Sequence, residues 1–109
     1  MIDLAQKKCV ACEGMVSPFV REEAEVLLKQ VREWTLSQDA ASISKQYTFE
    51  NFADALTFVN KVGALAEAEG HHPDIELAWG KVRITLTTHA IAGLSENDFI
   101  LAAKIDQLG

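Results

Sequence analysis

The chain has 109 residues, with 10 Lys and Arg against 16 Asp and Glu and a formal charge of −6. That length holds one domain, in which about 65% of the unfolded surface is buried, and 49% hydrophobic residues exclude intrinsic disorder. The acidic balance argues against a nucleic-acid partner, because affinity for phosphate backbones comes largely from Lys and Arg, and no run reaches the roughly 20 apolar residues of a membrane span.

Residues 1–16 read as a short leader, and 17–109 as the folded domain. Met1 to Val10 carries charges where a signal peptide needs an apolar stretch, so a cytoplasmic location is expected. The leader holds Cys9-Val10-Ala11-Cys12, which can be redox-active or half of a zinc site. A four-Cys zinc site needs a second pair that one chain lacks, and no βαβ context precedes the motif. Two reduced thiols are the expected state, and no metal is expected.

Ser17-Pro18 reads as the N-cap and first position of a helix, with Val20, Ala24, Leu27 and Val31 on its apolar stripe. Trp34 to Ser37 is a short strand candidate. A second follows with Ile43, Tyr47 and Phe49 on one parity and Lys45 interrupting, so the two form a hairpin. Residues 50–69 form the strongest helix. Phe52, Leu56, Val59, Gly63 and Ala66 make one apolar stripe, and Ala55, Phe58, Val62 and Leu65 a second beside it. A face that wide implies either burial between elements or contact with another subunit. Gly70 ends the helix.

Residues 74–79 and 82–88 alternate as strands, with Gly80-Lys81 as a two-residue turn. Ser95 then opens a last helix carrying Leu101, Ile105 and Leu108. The order helix, strand pair, helix, strand pair, helix predicts an α+β fold: a four-stranded antiparallel sheet with three helices packed on one face, a two-layer sandwich.

If Trp79 pairs with Val82, cross-strand partners sum to 161, and Leu77–Ile84 and Ile75–Leu86 share one face. Extended past Pro73, the same rule sets His72 opposite His89 at the open end of the hairpin, with His71 at the same rim. All three histidines of the chain then fall within 19 residues. Imidazole can accept or donate a proton near neutral pH, which suits a reaction needing both, such as elimination of water across a C–N unit. Solvated strand-end histidines account for the same positions. Adjacent His71 and His72 point to opposite sides of an extended chain and make a poor chelating pair for a metal.

At these residues the chain resembles the pterin-4a-carbinolamine dehydratases. The resemblance rests on Glu67-x3-His71-His72-Pro73, then five residues to Trp79, nine to His89 and eight to Asp98. These are seven fixed positions across 32 residues. Lys81-Val82-x-Ile84-Thr85-Leu86, Thr88-His89 and Gly93-Leu94-Ser95 also fit, and the likeness covers about residues 17–108. It implies dehydration of 4a-hydroxytetrahydropterin to quinonoid dihydropterin, recycling the pterin spent by aromatic amino-acid hydroxylases. It also implies a homodimer or homotetramer and no cofactor beyond the pterin substrate.

By position, His71, His72 and His89 match the family's active-site histidines. Glu67, Trp34, Pro73 and Asp98 match residues that bind substrate or support the pocket. The resemblance gives His71 as base toward N5–H, and His89 or His72 as acid toward the departing hydroxyl. Asp98 also sits where it completes a capping box with Ser95, Trp34 where it can be core, and Pro73 where it can start a strand. The chain departs from the pattern at Gly70, where several relatives carry Asp or Asn, so a carboxylate contact from that position is absent. Some members of the family also serve as dimerisation cofactors of transcription regulators. The rival reading is therefore a protein-interaction module using its oligomerisation helix.

Overall fold

A computed structural model gives the fold and describes residues 4–7, 9 and 17–108. A single 3-10 turn, Leu4–Gln6, precedes α1 (Arg21–Leu28), β1 (Thr35–Leu36), β2 (Ile43–Thr48) and α2 (Phe52–Glu69). Then follow β3 (Asp74–Ala78), β4 (Lys81–Leu86), a 3-10 turn at His89–Ile91 and α3 (Glu96–Asp106). The strands form one antiparallel sheet in the order β1-β2-β4-β3, with the three helices on one face. Ile43, Val82, Ile84 and Leu86 are buried on that face, against Phe58, Val62, Phe99, Leu101 and Ile105 of the helices. This is the expected α+β arrangement.

Four details differ from the sequence expectation. First, α1 begins at Arg21, three residues beyond Pro18. The Phe19 N–H donates to the Leu94 carbonyl at 2.9 Å, and Pro18 lies so close to Gly93 that a Cβ there would meet it at 2.6 Å. The 17–19 segment is therefore fastened along the 93–94 loop, and Glu23 takes the Val20 N–H at 3.0 Å to start the helix.

Second, the β3–β4 register runs Ile75↔Ile84, Leu77↔Val82 and Ala78↔Lys81, so partners sum to 159, not 161. The turn residues are Trp79 and Gly80, with Gly80 at φ 72°, a left-handed conformation that glycine adopts without steric cost. Third, Trp79 consequently leaves the apolar face and stands 71% exposed. Fourth, β4 ends at Leu86, so no ladder reaches His89. The expected pairing of His72 across from His89 thus loses its basis.

The helices differ in how they are covered. α3 buries Phe99, Ile100, Leu101, Ala102 and Ile105, with the 3-10 turn of buried Leu4 packed on it. Its four consecutive residues Phe99 to Ala102 are all buried, so that stretch is covered on most sides. α2 is covered on one side only. Ala55, Phe58, Val62 and Ala66 are buried, whereas Phe52 and Leu56 remain 43% and 40% exposed. The described residues do not cover the Phe52 and Leu56 end of the first apolar stripe of this helix.

Lys45, which breaks the apolar parity of β2, has a partner underneath. Asp106, at the end of α3, accepts from Lys45 Nζ at 2.9 Å, Tyr47 OH at 2.6 Å and the Trp34 indole N–H at 3.1 Å. Burial and the Asp106 carboxylate push the Tyr47 phenol well above its ordinary 10.0. Two outcomes follow from this network. Asp106→Ala strands three donors and lowers stability by about 2–4 kcal/mol, measured by urea unfolding followed through tryptophan fluorescence. Unfolded chains also lose the Tyr47 proton first, so stability that is complete below pH 10.0 declines as the pH rises past it. Tyr47→Phe flattens that alkaline decline in the same measurement.

Candidate functional site

The C-terminal end of α2 turns on Gly70, which sits at φ 66°, and the His71 N–H closes the turn on the Ala66 carbonyl at 3.2 Å. That turn carries Glu67, His71, His72 and Pro73 into the start of β3. At the other side of the corner, the Thr88 N–H donates to the Gly93 carbonyl at 2.8 Å. This bond closes a loop that begins with His89 and ends just before Ser95, the N-cap of α3.

Asp98 joins the two sides. Its side chain has no solvent exposure. One oxygen accepts from the Ser95 N–H at 3.0 Å and from the Thr88 hydroxyl at 2.8 Å; the other lies 2.6 Å from His71 Nε2. An ionised carboxylate only accepts, so His71 carries a proton on Nε2, and in the neutral ring the lone pair is then the one on Nδ1. The single Thr88 hydroxyl proton is committed to Asp98. In the 2.7 Å contact between Thr88 and Ser95, Ser95 is therefore the donor. Outside this buried core, His72 Nε2 contacts Glu67 Oε2 at 2.5 Å, with both side chains largely exposed.

The structure thus brings His71 to Asp98 and His72 to Glu67, and His89 is the residue after Thr88, which bonds to Asp98. Pro73 lies one residue before β3. Trp34 does not join them. It is buried against Asp106, which lies eight residues beyond Asp98, or about 12 Å along α3. Chemically, the corner offers an imidazole bonded through Nε2 to a buried carboxylate, with a second imidazole carried by the next residue, His72. That is the equipment for general acid–base catalysis. Among the described residues, no three His, Cys, Asp or Glu side chains converge as a cation requires.

Two contributors were not evident from the sequence. Thr88 was visible only as the residue before His89, although it supports Asp98 directly. Glu69 gave no signal, because its partners are distant in the chain: it accepts from the Cys9 N–H at 2.9 Å and pairs with Lys104 at 3.3 Å. Cys12 lies outside the described residues.

Residues 17–108 match the family model described as Pterin 4 alpha carbinolamine dehydratase. A protein of Halorhodospira halophila, provisionally named pterin-4-alpha-carbinolamine dehydratase, is 54% identical over 108 residues, 99% of each chain. One of Methylococcus capsulatus, with the same provisional name, is 51% identical over 105 residues, 96% of this chain and 92% of its own. Among solved structures, the transcriptional coactivator/pterin dehydratase from Brucella melitensis superposes with a TM-score of 0.79 at 26% identity. That superposition covers 84% of this chain and 98% of the other. A pterin dehydratase-like protein identified as a RuBisCO assembly factor in the alpha-carboxysome gives 0.61 at 27% identity, covering 71% and 89%.

Cys9 precedes the matched region yet packs beside the site. Burial first, and the neighbouring Glu69 carboxylate second, push its thiol up from 9.0 to about 12. At pH 8 it therefore holds about a thousandfold less thiolate than an ordinary thiol, and thiolate is the reactive form. Iodoacetamide at pH 8, with the label located by peptide mass spectrometry, should modify Cys9 slowly in native protein and rapidly once urea unfolds it.

Proposed function

The chain belongs to the pterin-4a-carbinolamine dehydratase family, and on that premise we propose that it is a hydro-lyase converting 4a-hydroxytetrahydropterin to quinonoid dihydropterin. The observation that carries this reading is the His71–Asp98 pair, with His72 the next residue and His89 following Thr88, another partner of Asp98. Asp98 fixes the Nε2–H tautomer of His71, so Nδ1 acts as the base that removes the proton from N5. The electron pair of that N–H bond forms the N5–C4a double bond, and the C4a–O bond breaks. His89 or His72 donates the proton with which the hydroxyl leaves as water. Glu67 orients His72, and Thr88 and Ser95 hold the carboxylate that holds the base.

The pterin is the substrate, and the proposal includes no further cofactor. The reading extends to a cytoplasmic enzyme that returns spent pterin to an aromatic amino-acid hydroxylase. We also propose assembly as a homodimer or homotetramer through the exposed Phe52 and Leu56 face of α2. That face is the one observation favouring the second reading, a protein-interaction module that serves as dimerisation cofactor of a transcription regulator. The Brucella melitensis protein, a transcriptional coactivator as well as a pterin dehydratase by name, fits that reading too. Retention of all three histidines favours the enzyme, since a scaffold has no use for them.

The test is a dehydration assay with freshly generated 4a-hydroxytetrahydropterin. Wild-type protein should accelerate water loss over buffer, and His71→Ala and Asp98→Asn should each lower kcat by about 10²–10³-fold. His89→Ala should also reduce it. A wild-type rate equal to buffer would end the enzyme reading, whereas unchanged rates in the variants would end the residue assignment alone.

A further inference from the structure

Residues 4–7 and Cys9 have a structural relation to the site that neither the family match nor the sequence pattern carries. Leu4 is buried against α3, with 3% exposure. Among the described residues, three contacts of Lys7 and Cys9 reach the two elements that the His71–Asp98 pair joins. Lys7 Nζ meets Glu96 at 2.9 Å, in the first turn of α3. The Cys9 thiol donates to the carbonyl of Asn97, the residue before Asp98, at 3.6 Å. The Cys9 N–H donates to Glu69, two residues before His71, at 2.9 Å. Glu69 also reaches Lys104 of α3, and its side chain is only 12% exposed.

We propose that Glu69 is a positioning residue for the His71–Asp98 pair, tying the last turn of α2 to α3 through the Cys9 backbone and the Lys104 ammonium. The reasoning is geometric. His71 follows a left-handed glycine, so the direction of its side chain depends on where the end of α2 is held. Asp98 is fixed in α3 by Ser95 and Thr88, whereas nothing in that carboxylate cluster holds the α2 side except His71 itself. Glu69 supplies a second fastening of α2 to α3 beside it. The Cys9 N–H, followed by the Lys104 ammonium, keeps the Glu69 carboxyl below the usual carboxylate range, as a committed acceptor should be. An error of an ångström in such a pair is enough to cost a large factor in rate.

The kinetic consequence rests on the dehydratase reading, but the positioning itself does not. The experiment therefore has two arms on full-length protein. In the first, NMR follows the His71 Nε2–H resonance and its exchange with water, assigned by its loss in His71→Ala. Glu69→Ala should broaden the resonance and speed its exchange at least tenfold, with far-UV circular dichroism unchanged, while Glu69→Gln, which can still accept from Cys9, should restore most of the protection. In the second arm, Glu69→Ala should lower kcat about tenfold with KM nearly constant, and Glu69→Gln should recover it. An unchanged resonance in Glu69→Ala would overturn the proposal. So would loss of the resonance together with the helical signal in both variants, because Glu69 would then be a general fold residue. Altered resonance without any pterin turnover in wild type would sustain the positioning and sink only the dehydratase reading.

Discussion

A carboxylate removed from water must have donors on its oxygens, and Asp98 finds them only when three parts of the chain arrive together. The Ser95 N–H comes from the start of α3, the Thr88 hydroxyl from the end of β4, and the His71 imidazole from the turn after α2. Hydrogen bonds to a charged group contribute about 1.5–3 kcal/mol each, while an ion left buried without partners costs several. The fold that satisfies Asp98 is thus the same fold that sets His71 in place. No separate device is needed to fix the His71 tautomer, since the acceptor-only carboxylate already does so.

α3 is held by a carboxylate at each end, and the two have different tasks. Asp106 gathers Trp34, Lys45 and Tyr47 from the β1–β2 side of the sheet. Asp98 gathers Thr88 and His71 from the β4 and α2 side. Two such anchors, about 12 Å apart, fix both the position and the direction of one helix across the sheet. With its four consecutive residues Phe99 to Ala102 all buried, α3 has little amphipathic pattern of its own to set its rotation, and the polar ends take over that role.

Much of this was legible in the sequence, and the misses have physical causes. Gly70 as a helix end and Ser95 with Asp98 as a helix start are local signals, and both elements stand where those signals put them. The β3–β4 register was not recoverable in the same way. Sums of 159 and 161 place the same residues on the same face, so hydrophobic alternation cannot separate them, and only the turn conformation at Trp79 and Gly80 decides. The α1 start was missed because Phe19 bonds to Leu94, a partner no local pattern reveals. Lys45 looked like an interruption for the same reason: Asp106 lies 61 residues away. The motif spacing singled out His71 and Asp98, and His72 and Glu67, which the fold sets in contact as two pairs. Thr88 and Glu69 act through contacts that spacing does not encode.

A shared fold does not choose between chemistry and assembly, but the geometry of α2 shows that the two need not compete. The exposed apolar residues Phe52 and Leu56 lie in its N-terminal half, whereas Glu67 and the histidine turn lie at its C-terminal end. Leu56 and Glu67 are eleven residues apart, about 16 Å of helix. A partner helix laid over the first region would leave the second open to a small molecule. It would also stiffen the element whose far end carries His71 and His72. Association through that face therefore has reason to support the corner rather than obstruct it, because both depend on α2 lying in one place on the sheet.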